Sequence, residues 1–412
     1  MRIPWHRAAQ QFIARMHDGA TGGYRSVPDG PATLYGTCYG LLAQYYLGDT
    51  FELAPATRRF IQEGQDPQSG LFVGPELQGF QSPPGVLHDR EHLRLHLTCA
   101  ALPVCSQFNI PVLHPLTAAL RFCDIGYLRG WLQARDLRHA WFEGNNLLFA
   151  GQLLVHLRDA GGYPQARPAL DAWFEWLEET IDPATSLWGS NGLCSQAEAV
   201  YGGYHQLLVY YHEQRPIRNP EGLIDVVLNL QHADGGFHPE GNAGACEDVD
   251  CVDILVNLYK QTDARQREIR LALRKCRCHI LGQQNPDGGF PYTRDRSQSH
   301  MGVPGTGAPA NVSTMFPTWF RIHTLALMSE ILTDEPRLRD VPFRFSTALS
   351  MGWHRTWDRA RHAVRPLDSW RDRIALAAWK LGRIPNQAHA GWETAMERVK
   401  VPLRKVRRIA RA

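Results

Sequence analysis

A short glycine turn returns along this chain at intervals of about 50 residues, each time followed by an apolar, helix-like run. Gly22-Gly23-Tyr24 precedes TLYGTCYGLLAQYYLG, and Gly235-Gly236-Phe237 precedes EDVDCVDILVNLYK. Counted from the aromatic, Cys38 and Cys251 both stand 14 positions on, and the residues after each are apolar at helical spacing. Further copies end in DPATSLW at Trp188, QDPQSGLF at Phe72 and QQNPDGGF at Phe290. The gap between Phe72 and Trp188 is about twice the others, so a degenerate unit belongs there, within YLRGWLQARDLRHAWFEGNNLLFAGQLLVHL. Six units result. Repeats of this length make stacked or closed arrays, because one unit cannot bury its apolar face alone.

Each unit reads as an amphipathic helix, a turn and a helix apolar nearly all round, as LIDVVLNLQ and DILVNLYK illustrate. One helix type therefore belongs outside and the other inside. This predicts an all-α fold, an (α/α)6 toroid of six helix hairpins with extra C-terminal helices. Gln231 and Gln284 are placed to tie the outer helix end to its turn, and the glycines permit positive φ. The expected division is a toroid over 1–344 and a helical extension over 345–412 with a basic tail.

The Gln-x-x-Asp-Gly-Gly-Phe turns and the Cys-containing helices resemble the repeat of protein prenyltransferase β subunits and squalene-hopene or terpene cyclases, over roughly residues 1–335. The resemblance implies a central cavity entered where the inner helices begin. Aligned on the cysteines, Tyr35, His96, Tyr201, Asp248, Asp250 and Trp319 fall at that rim, with Asn145 from the degenerate unit and His205 further into its helix. Cyclases that start by protonation carry Asp-x-Asp-Asp, with the middle Asp as the acid. Asp248 and Asp250 match the first and middle positions, and Cys251 replaces the last Asp. The implied activity is acid-initiated carbocation chemistry on an isoprenoid or other lipid-like substrate. Asp250 and Asp248 are the catalytic candidates, and Tyr35, His96, Asn145, Tyr201, His205 and Trp319 would bind substrate. Acidic residues opening a helix also favour its dipole, which is the structural alternative for Asp248.

Two other classes stay open: a carbohydrate-active (α/α)6 enzyme of the lyase or glycosidase kind, and a non-catalytic toroid that binds a ligand or partner. The zinc site of prenyltransferases needs Asp with Cys two residues on, whereas Asp250 and Cys251 are adjacent, and Gly36 stands where its His would be. No complete metal ligand set is expected, although His88, His92 and His96 share a helix face at a spacing that can hold a divalent ion. No cofactor is expected. GVPGTGAPANVS (302–313) reads as a lid or connector, and Cys276-x-Cys278 as structural.

Net charge is +3, so no global field points to nucleic acid. Nine scattered cysteines suit a reducing, cytoplasmic setting. The basic tail, with Arg398, Lys400, Arg404, Lys405, Arg407, Arg408 and Arg411, leaves open a peripheral membrane contact.

Overall fold

The computed structural model describes residues 3–82, 86–355 and 370–382, so the basic tail lies outside the described residues. Two compact units are present, Met1–Pro366 and Leu367–Ala412. In the second, the described part is the helix α15 (Trp370–Gly382). All that follows concerns the first unit.

Outer helices are α1 (Trp5–Met16), α3 (Pro55–Glu63), α6 (Ile125–Gln133), α8 (Ala166–Thr180), α10 (Pro220–Asn229) and α12 (Gln266–Gly282). Inner helices are α2 (Leu34–Tyr46), α5 (Arg90–Gln107), α7 (Ala140–Asp159), α9 (Gln196–His212), α11 (Ala245–Tyr259) and α13 (Met315–Ser329). One-turn helices α4 (Gly74–Leu77) and α14 (Pro336–Arg339), 3-10 helices at Thr117–Cys123 and Leu137–His139, and a two-strand hairpin, β1 (Tyr24–Arg25) with β2 (Ala32–Thr33), complete the described elements of the unit. Burial follows the sequence pattern. In α1 only Ala9, Phe12, Ile13 and Met16 are buried, a single stripe at i, i+3, i+4 and i+7. In α11 every residue except Cys246 is buried.

Each inner helix packs on the next, in the order α2, α5, α7, α9, α11, α13, and α13 returns to α2, so the ring is closed. The expected all-α toroid of helix pairs is the observed fold. Glycine permits the tightest of these contacts: a Cβ on Gly202 of α9 would sit 2.2 Å from the carbonyl oxygen of Ala140 in α7.

Closure uses the same device as the other joints. Gln65, Gln231 and Gln284 each end an outer helix region, and each side-chain amide donates to its own turn, at Gly70, Gly235 and Gly288. The same amide donates to a neighbouring segment, at His114, Ala272 and Trp5. The Gln284 bond joins the sixth unit to α1, and the amide of Met315 donates to Ser26 O at 2.9 Å. Gly288 has φ +89°, and a Cβ there would lie 2.0 Å from Ala8 O of α1. Gly288→Ala should therefore open the closing joint. A loss of at least about 2 kcal/mol is expected from the unfavourable φ and the overlap together, read as a lowered denaturation midpoint.

Beyond α14 the chain runs back under the ring. Phe345, Leu349, Met351 and Trp353 are buried, and the hydroxyls of Tyr204 and Tyr46 donate to the carbonyls of Met351 and Gly352. This stretch is irregular and forms a floor across one end of the bore. That floor leaves a single-ended cavity above it.

Candidate active site in the toroid bore

The cavity measures about 690 Å³. Leu87, Trp141, Phe142, Phe316, Phe320 and Met351 give it apolar surface, and Arg138, His139, Asn145 and Glu198 add a polar sector. Four expected site residues line it: His96, Asn145, His205 and Asp250.

Asp250 is 1 % exposed, and its Oδ2 has no hydrogen-bond partner. Burial drives its carboxyl well above the usual range, and the neighbouring Glu247, Asp253 and Asp248 push it the same way. Its carboxyl is thereby biased toward the protonated form, the form able to donate a proton. Glu247 is also raised by burial and accepts from the Tyr292 hydroxyl at 2.9 Å.

Asp248 stands elsewhere. Its Oδ1 accepts from the Phe237 amide at 2.9 Å, and its Oδ2 pairs with Arg321, both side chains having no exposed surface. In other units a threonine makes the same bond to the turn aromatic: Thr37 to Tyr24, Thr98 to Phe72 and Thr318 to Phe290. Aligning the units on cysteine pairs Asp250 with Thr37. The hydrogen bonds pair Asp248 with Thr37 instead, because the link from aromatic to helix is two residues shorter in the fifth unit. Asp248 is therefore the turn-fastening residue of its repeat, and Asp250, which lines the cavity, stands at the position held by Tyr39 in the first unit.

Imidazoles from α9 and α5 stand in or beside the same cavity wall. His205 on α9 donates from Nδ1 to Tyr201 O at 2.9 Å, which leaves Nε2 as the basic nitrogen. Burial lowers His205 to about 4. His96 lies 3.0 Å through Nδ1 from the Tyr35 hydroxyl and is held well below the usual histidine range by burial and by His300. His92 donates toward Asn146 at 2.9 Å and is lowered to about 4 by burial. All are neutral bases near pH 7.

The remaining expected residues form the layer behind the wall. Tyr35 contacts His96 and His300, with ring centroids 5.4 and 4.9 Å apart. Tyr201 packs on Trp141 at 4.8 Å and donates to Phe237 O. Trp319 stacks between Tyr39 at 4.4 Å and Phe320 at 4.2 Å.

His300 has no sequence precedent in the repeat. It lies in the insert before α13, where Gln298 pairs with Ala308 and residues 297–301 form part of the cavity wall. Its Nε2 is 3.2 Å from the Tyr39 hydroxyl, its ring is 4.3 Å from Phe316, and burial lowers it to about 3. Among the described residues, no three or more His, Cys, Asp or Glu side chains are grouped to hold a metal ion. His92 and His96 stand on α5, whereas His88 precedes the helix and its Asp89 cap, so the three do not share one helix face; their ring spacings are 5.1 and 6.3 Å.

Below Asp250 on α11, Asp253 is fully buried and raised to about 8 by burial, with Asn257 donating to it at 3.0 Å. Its pKa is higher folded than unfolded, so the folded state holds the extra proton and stability falls as pH rises from about 4 through 8. Asp253→Asn removes that dependence. The variant should gain on the parent across this interval and hold a constant advantage above it, as urea denaturation at stepped pH would show.

The fold and cavity define a closed α/α toroid with a buried carboxyl in its bore. The prenyltransferase alpha-alpha toroid domain model matches residues 3–82 and 149–333, and the chain belongs to that family. Among solved structures, a polysaccharide lyase is similar at 12% identity and a TM-score of 0.45, covering 78% of this chain and 96% of that one. No curated protein matches this chain. No described helix is long and apolar enough to cross a membrane.

Proposed function

We propose that the bore carries out an acid–base reaction on an apolar, isoprenoid-type substrate, with Asp250 as proton donor. The observation that carries this reading is a buried carboxyl with an unpartnered oxygen, standing in a wall shared with Phe316, Phe320 and Phe142. Proton transfer from Asp250 to an alkene leaves a carboxylate and a substrate cation. Aromatic faces stabilise such a cation by their quadrupoles. A neutral imidazole, best His205 through Nε2, then removes a proton to give an isomerised or cyclised product, and the cycle closes when the imidazolium loses that proton to solvent and the Asp250 carboxylate regains one. Donor and acceptor are both uncharged before reaction, so the resting cavity avoids a buried charge.

A second reading rests on the polar sector of Arg138, His139, Asn145 and Glu198, which suits a carbohydrate, with His205 as the base of a lyase. One experiment separates them. The protein is incubated in D2O with farnesol or squalene, and in parallel with uronate oligosaccharides, followed by mass spectrometry. Deuterium built into an isoprenoid product supports the first reading. An unsaturated sugar product supports the second, and no product from either sinks both.

A further inference from the structure

On the far side of the floor lies a second cavity, of about 380 Å³, between the ends of α5 and α7 and residues 347–349. Its construction begins with a proline. Pro103 lies inside α5, and without an N–H it leaves the carbonyl of Cys99, four residues earlier, without its helical donor. Gln152 of α7 supplies one: its Nε2 donates to Cys99 O at 2.8 Å. That bond fixes which way the amide faces, so the other atom, Oε1, must be an acceptor. It has no partner, although Gln152 is only 3 % exposed and forms part of the cavity wall. Leu102, Val112 and Val155 surround it with apolar surface, and Asp159 stands at the same wall.

We propose that this cavity is a second ligand site, for a compact apolar molecule with one hydrogen-bond-donating head, a hydroxyl or an amine. Buried acceptors are normally satisfied, and here the protein supplies the apolar enclosure and the acceptor while leaving the donor to come from outside. Ser106, His156, His212 and Thr347 also line the cavity, but at Oε1 itself an anionic head does not fit, because that atom only accepts and Asp159 adds like charge. The site is separate from the bore, and the same stretch of chain serves both: Ala348 and Leu349 line this cavity, and Met351 lines the other.

Isothermal titration of the intact chain with cyclohexanol, cyclohexylamine and cyclohexanecarboxylate tests this. The alcohol and the amine should bind, and the carboxylate should bind at least tenfold more weakly. Gln152→Leu should weaken the alcohol at least tenfold. Because that change also frees Cys99 O, Ala348→Trp provides a control that fills the cavity and keeps the Gln152–Cys99 bond. It should abolish binding with the circular dichroism spectrum unchanged. Equal binding of the carboxylate, wild-type binding by either variant, or no binding of any probe would overturn the proposal.

Discussion

Asp250→Asn should lower turnover by roughly 10³-fold or more, the upper range for loss of a general acid, and leave the fold intact. The amide has the shape of the carboxylic acid it replaces and is likewise uncharged, so no new buried charge arises at a position 1 % exposed. What disappears is the acidic proton. The melting temperature should stay level or rise, while product formation is lost. The pH profile adds a second check. The base limb should fall as pH drops through about 4, where His205 becomes protonated. The acid limb should fall at a pH well above that of an ordinary carboxyl, because burial raises Asp250 well above its usual range. Activity should therefore hold between those two limits. Undiminished turnover in Asp250→Asn would remove this residue as the acid and move attention to Glu247, three residues earlier on the same helix.

The ring was legible in the sequence because its signals are local and repeated. Most turns write an Asp, one or two glycines and an aromatic in fixed order, and the outer stripe and inner all-apolar runs differ in period. Asp250 was legible as an acidic departure within an apolar helix. The role of Asp248 was not, since cysteine alignment hides a link two residues shorter. A usable signal was present: Thr37, Thr98 and Thr318 each fasten a turn, and in the fifth unit only Asp248 stands within reach of doing so. His300 and the floor at residues 345–355 left no trace of this kind. Both belong to irregular chain, where position is set by long-range contacts such as His300 with Tyr39 or Tyr204 with Met351. Neither follows a period that a sequence can display.

Arg321→Leu should destabilise the protein by about 3–5 kcal/mol, the range for breaking a buried ion pair from one side. Neither Arg321 nor Asp248 has any exposed side-chain surface, so water cannot replace the missing partner. The guanidinium also donates to Ala243 O at 2.8 Å, Tyr292 O at 3.1 Å and Gln283 Oε1 at 3.2 Å. Its loss leaves those acceptors and the Asp248 carboxylate unsatisfied together. Adding Asp248→Asn should restore part of the loss, because the uncompensated charge goes and a side-chain oxygen remains to accept from the Phe237 amide. Denaturant midpoints of the two single variants and the double variant measure this coupling. The same series separates the two aspartates by function. Asp248→Asn alone should lower stability and leave activity per folded molecule near that of the parent, the reverse of Asp250→Asn. Should Asp248→Asn instead abolish turnover at unchanged stability, the carboxylate fastened to the Phe237 turn would be part of the proton chemistry, and the assignment of the bore's acid to Asp250 alone would fail.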